Sequence, residues 1–121
     1  MGPAGPIVII EPLAEGSFFS ALRPVEDETD VRIAAQEHVR RALESGMFEQ
    51  LSRNEYLRRE HFAGLDQFLT RIVAVEPARA KVVAERRSEI EAAFRRHART
   101  ATDGRMTLEQ PMLVHVLTAR A

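Results

Sequence analysis

The sequence predicts an α/β fold in which an open sheet of about three strands is flanked by three or four helices. Two short runs, Ile7–Ile10 and Met112–Thr118, are apolar at almost every position and have no helical spacing. Runs of this kind favour strands that are covered on both faces. Between them, apolar residues recur largely with the three- and four-residue spacing of amphipathic helices. We therefore expect the two runs to be neighbouring, antiparallel strands in the centre of the sheet.

The first run is entirely β-branched and lies between two prolines. It leads into Glu11 and then into a loop that contains Ser17, Phe18 and Phe19. Ligand sites in open α/β sheets lie beyond the carboxyl ends of the strands, so we expect these four residues to form a substrate-binding site. The alternative interpretation is that Glu11 is a solvated strand end and that the two phenylalanines belong to the core.

A helix is predicted over 28–45. Acidic residues open it, an apolar stripe repeats every four residues from Val31 to Leu43, and Gly46 ends it. The following segment, 47–62, is predicted to be a long and partly exposed strand with an irregularity near Arg53.

Two further helices are predicted, over 65–75 and over 77–99, before a turn at 102–104. The arginine pairs of the longer helix provide a possible site for an acidic partner. Because acids are interleaved with them, a solvated face is the favoured interpretation. His115 in the last strand is interpreted as a core histidine, with metal or ligand binding as the alternative.

Composition limits the function classes. The chain has 121 residues, a net charge of −1 and no cysteine, which fits one domain. This charge balance predicts neither a nucleic-acid partner nor attraction to an anionic membrane. No segment reaches the roughly 20 apolar residues of a membrane span, and no signal peptide is evident, so we expect a cytoplasmic protein. No metal-ligand motif, esterase elbow or phosphate-binding loop is present.

The order of elements resembles the C-terminal part of a class I S-adenosylmethionine-dependent methyltransferase. GPIVIIEPLAEGSFF is similar to the fifth strand of that sheet with its loop, MFEQLSRNEYLRREHF to the sixth, and PMLVHVLTAR to the seventh. The resemblance covers nearly all of residues 1–121 and implies a partial Rossmann-like, mixed sheet. In it the last strand lies between the other two and is antiparallel to both.

The resemblance also implies what this segment lacks. In that family the cofactor is held by the first half of the domain, through a glycine-rich loop and an acid after the first two strands. No residue here matches those positions, so we expect the isolated chain to bind no cofactor, and S-adenosylmethionine to bind only if an N-terminal half completes the domain. The catalytic residues are not identified, although Glu11 is the best available candidate for a general base.

Three functions therefore remain open. The first is the substrate-side portion of a bacterial-type methyltransferase, inactive unless completed by an N-terminal half. The second is a small non-enzymatic α+β module that binds a protein partner, and the third is an anion or nucleic-acid binder that uses the arginine-rich helix. Because the first strand has only one obvious partner, we also expect association with an N-terminal half or a homodimer joined near Ile7–Ile10.

Overall fold

The structure, a computed structural model, describes residues 5–120. Its elements in chain order are β1 Ile7–Pro12, α1 Ser17–Leu22, α2 Thr29–Glu44, β2 Phe48–Phe62, α3 Leu65–Val75, α4 Arg79–Glu85, α5 Arg87–His97, β3 Arg99–Thr100 and β4 Met106–Ala119. The predicted first helix, long strand and second helix are confirmed to within a residue at each end. The α/β class is also confirmed.

The sheet has the order β1-β4-β2, and the two-residue β3 pairs with β4. The pairing of β1 with β4 is antiparallel, with Ile7 opposite Leu117 and Pro12 opposite Met112. The predicted order of the three long strands is thus confirmed, with the last strand in the middle. In two respects the prediction was wrong: all neighbouring strands in this four-stranded sheet are antiparallel rather than mixed, and residues 5–120 form five helices rather than three or four.

The prediction that β1 is a central strand, covered on both faces, was also wrong for residues 5–120. β1 pairs with β4 alone, and the side chains of Val8 and Ile10 are 58% and 53% exposed. Val114 and Val116, which lie on the same face of the sheet, are half-buried. An apolar run shows that its side chains favour burial, but it does not show that the same chain supplies the cover.

The single helix predicted over 77–99 is two helices, α4 and α5, which meet at Arg86. The backbone of Arg86 leaves the helical region, with φ −123° and ψ 26°. Its guanidinium donates a hydrogen bond of 2.8 Å to the carbonyl of Pro24 and also contacts Glu89. The predicted turn that follows is confirmed, and Gly104 occupies it with a φ of 86°, a conformation that favours glycine.

The chain divides into two compact units. Among the described residues, the first unit comprises 5–14, 29–57 and 111–120, and the second comprises 15–28 and 58–110. β2 and β4 therefore contribute residues to both. Each unit is described by itself below.

The second unit contains a large aromatic core. Phe68 is fully buried, and its ring lies 5.8 Å from that of Phe18, 5.5 Å from Phe62 and 5.1 Å from Phe94 between centroids. Two of these contacts are edge-to-face, the arrangement that the quadrupoles of aromatic rings favour. The rest of this core is aliphatic and comes from α1, α3, α5, β4 and the segment after α1: Ala21, Leu22, Val25, Leu69, Ile72, Ile90 and Leu108.

A buried arginine ties the acidic segment before α2 to the helices of this unit. The side chain of Arg79 is 9% exposed and donates hydrogen bonds to Glu26 (2.7 Å), to Glu28 (3.5 Å) and to the carbonyl of Ile72 (3.2 Å). A guanidinium reaches three acceptors at once because its donors point outward in a rigid plane. Arg79 therefore satisfies its buried charge within the unit.

We predict that Arg79→Lys lowers the free energy of unfolding by about 2 kcal/mol, because an ammonium on this stem cannot meet all three acceptors and leaves buried polar groups unpaired. Urea unfolding followed by circular dichroism measures the change. Arg41→Lys, at an exposed position of α2, is the matched control and should change the free energy by less than about 0.5 kcal/mol. Equal effects of the two substitutions would contradict the role given to Arg79.

Candidate functional site

Three of the four residues predicted to bind substrate lie in the second unit, and their side chains face inward. Ser17 accepts a hydrogen bond of 2.7 Å from the backbone N–H of Glu109, which fixes the start of α1 against β4. Phe18 belongs to the aromatic core, and Phe19 is 7% exposed. Of the residues that surround them in the loop after β1, Glu15 has the most exposed side chain. The inward side chains position this loop.

The fourth residue, Glu11, lies in the first unit and faces a histidine. Glu11 stands opposite Leu113 in the β1–β4 register, and His115 stands opposite Ile9, so that Glu11 and His115 share one face of the sheet. Both side chains are only 7% exposed, and Glu11 Oε2 lies 3.5 Å from His115 Nε2. This carboxylate oxygen accepts no hydrogen bond from the residues that the structure describes. The imidazole of His115 lies beside this buried oxygen.

The other ring nitrogen of His115 contacts Gln50 of β2. The distance from Gln50 Nε2 to His115 Nδ1 is 2.9 Å. The amide nitrogen of Gln50 can donate to Nδ1 in the tautomer that leaves this nitrogen unprotonated. Three strands thus each contribute one polar side chain to a chain of contacts from Glu11 through His115 to Gln50.

A cleft of about 300 Å³ opens beside His115 and Gln50, within the first unit. Its apolar wall comes from α2 and β4 and its polar rim from α2 and β2; the lining residues are Gln36, Val39, Arg40, Leu43, Gln50, Arg53, Leu113 and His115. On the rim, Arg40 is held by Glu37 and Glu44 of its own helix. The hydrogen bond from Arg40 holds the pKa of Glu37 below its usual value, and the same bond raises the pKa of Arg40. The charge of Arg40 is thus largely compensated.

This arrangement can position a proton. The imidazole of His115 lies between a carboxylate oxygen at 3.5 Å and an amide nitrogen at 2.9 Å, so its two ring nitrogens can take part in hydrogen bonds on opposite sides of the ring. The interpretation of His115 as a core histidine agrees with its burial. Its link to Glu11 was missed, although each of the two residues interrupts an apolar run in the sequence.

The potential metal ligands in residues 5–120 are histidine, aspartate and glutamate side chains. No group of three or more potential metal ligands occurs within that range. After β1, the only glycine with a positive φ before α1 is Gly16, Ser17 is engaged with Glu109, and Glu11 faces His115.

No protein-family model matches the sequence, and a search of curated proteins found no significant match. Within the described range, no helix is both long enough and apolar enough to cross a membrane.

We predict that His115→Leu lowers the free energy of unfolding by about 3 kcal/mol, because it leaves the Glu11 carboxylate buried without a partner. The double variant Glu11→Leu/His115→Leu should be more stable than the single variant, since two apolar side chains replace both polar groups. Urea unfolding at pH 7 of the unchanged chain, of the single variants His115→Leu and Glu11→Leu and of the double variant yields the coupling free energy.

The control for this cycle is His61→Leu, which removes an exposed histidine whose ring is hydrogen-bonded to the hydroxyl of Thr107. It should change the free energy of unfolding by less than about 1 kcal/mol. A double variant that loses the sum of the two single losses would show that Glu11 and His115 do not interact.

Proposed function

We propose that this chain is the C-terminal, substrate-side portion of an S-adenosylmethionine-dependent methyltransferase, and that it is inactive until an N-terminal half completes the domain. The observation that carries the proposal is the strand order β1-β4-β2, with the last strand antiparallel between the two earlier ones. The resemblance implies this order. Strands that simply paired with their neighbours in the sequence would not give it, because β4 lies between β1 and β2, which both precede it in the chain.

The uncovered side of β1 supports the same proposal. A strand made of Ile7–Ile10 would be expected to lie inside a sheet, yet Val8 and Ile10 are more than half exposed in this chain. A strand and covering helices from an N-terminal half would bury them. Substrate binding by Glu11, Ser17, Phe18 and Phe19 and a cytoplasmic location both remain predictions from the sequence.

A second candidate is a non-enzymatic α+β module that binds a protein through β1. The exposure of Val8 and Ile10 favours it equally, because any partner that supplies a strand can cover them. The two candidates differ in what completes the chain: a cofactor-binding half in the first, and a protein without methyl-donor chemistry in the second. Methyl transfer by the completed protein separates them.

We predict that the isolated chain binds S-adenosylmethionine with a dissociation constant no tighter than about 1 mM, or −4.1 kcal/mol. The physical reason is that Ser17 already accepts a hydrogen bond from Glu109, that Glu11 already faces His115, and that no glycine-rich turn follows β1. Isothermal titration calorimetry measures the affinity. Micromolar binding would contradict the proposal that cofactor recognition belongs to another segment.

The completing half is tested by co-expression. The coding sequence immediately upstream of Met1 is expressed alone, together with this chain, and fused to it, and each preparation is assayed for cofactor binding and for transfer of labelled methyl groups to a small-molecule library. The proposal expects binding by the combined preparations and turnover only in them. An upstream sequence with no strand followed by a glycine-rich turn, or combined preparations that bind no cofactor, would contradict it.

A further inference from the structure

The free edge of β1 can be defined group by group. Leu13 N–H donates to the carbonyl of Pro111 in the continuation of the β1–β4 ladder. In an antiparallel pair the inward and outward backbone groups alternate, so Ile7, Ile9 and Glu11 point their groups at β4. Val8 and Ile10 therefore point theirs away from the sheet, and β4 is the only strand that pairs with β1 in residues 5–120.

Prolines bound this edge on both sides. Pro12 is the next outward-facing position after Ile10, and Pro6 continues the same alternation before Val8. Because proline has no N–H, neither can donate a hydrogen bond to an added strand. The edge therefore offers only two residues, Val8 and Ile10, that have both an outward N–H and an outward C=O group. The prolines on either side prevent the hydrogen bonding from extending further along an added strand.

We infer that this edge pairs with the same edge of a second copy of the chain about a two-fold axis through Ile9. In this register Val8 lies opposite Ile10 of the second copy, and each such pair exchanges two backbone hydrogen bonds. Pro6 then lies opposite Pro12 of the second copy, so that the positions without donors face one another. Along the edge, the two outer positions, Pro6 and Pro12, have no N–H donor, and the two inner positions, Val8 and Ile10, have one each. Because this pattern reads the same in both directions, the edge is complementary to itself.

The charges of the strand agree with this pairing. Ile7–Ile10 carries no charge, and Glu11 would stand opposite Ile7 of the second copy with its carboxylate beside His115 of its own chain. No like charges are brought together, and edges of native sheets that avoid pairing usually carry charges at such positions. The exposed side chains of Val8 and Ile10 would meet across the axis as a β-branched pair.

The expected dimer is weak and reversible, because edge pairing buries much less than the roughly 1,200–2,000 Å² of a stable interface. The inference concerns the chain by itself and does not rest on the proposed function. An N-terminal half that pairs with β1 would compete with the second copy for the edge.

Sedimentation equilibrium of the chain from about 5 μM to 1 mM tests the inference, over a range suited to a weak association. We expect a monomer–dimer equilibrium in which half of the molecules are dimeric at some concentration within this range. The double variant Val8→Lys/Ile10→Lys places like charges opposite each other in both pairs and should weaken the dimer at least tenfold.

The register is tested by Val8→Lys/Ile10→Glu, which places opposite charges across both pairs and should dimerise at least tenfold more tightly than the double lysine variant. Val75→Lys, at a residue 63% exposed in α3, is the surface control and should dimerise like the unchanged chain. Cooperative urea unfolding verifies that each variant is folded. A folded chain that stays monomeric to 1 mM, or two double variants with the same affinity, would overturn the inference.

Discussion

Backbone hydrogen bonding along β4 is the constraint on which this structure depends. β4 has β1 on one side and β2 on the other, and its first residues also pair with β3. A central strand with partners on both sides satisfies its N–H and C=O groups within the chain. The same hydrogen bonding is incomplete at the β1 edge of the sheet, because in residues 5–120 β1 pairs with β4 and with no other strand.

Polar groups in the interior follow the same logic of satisfaction. Arg79 meets three acceptors, whereas Glu11 relies on one imidazole and leaves a carboxylate oxygen without a hydrogen bond. A network that satisfies all its groups serves stability, and one that leaves an acceptor open costs free energy. The contrast separates the two clusters: Arg79 has its buried charge paired within its unit, whereas Glu11 keeps one buried carboxylate oxygen without a hydrogen bond from residues 5–120.

Much of the fold was predictable because its signals are local. The apolar stripe of α2, the glycine after it and the spacing of Leu65–Val75 are each contained within a few turns of chain. The break at Arg86 was not predictable, since it depends on the carbonyl of Pro24, distant in sequence. The burial of Arg79 and the pairing of Glu11 with His115 were missed for the same reason: each depends on elements that meet only in the folded chain.

The misplacement of β1 at the centre of the sheet shows what a sequence pattern encodes. Four β-branched residues in succession indicate a strand whose two faces both favour burial. Residues 5–120 leave the face that carries Val8 and Ile10 more than half exposed. The prolines at the outward positions of β1 also limit how a further strand can pair with it. If β1 were paired along its whole length on that side, Pro6 and Pro12 would each remove a ladder hydrogen bond. A neighbour that contacts only Val8 and Ile10 loses none, so any strand added at this edge is restricted to a short crossing centred on Ile9.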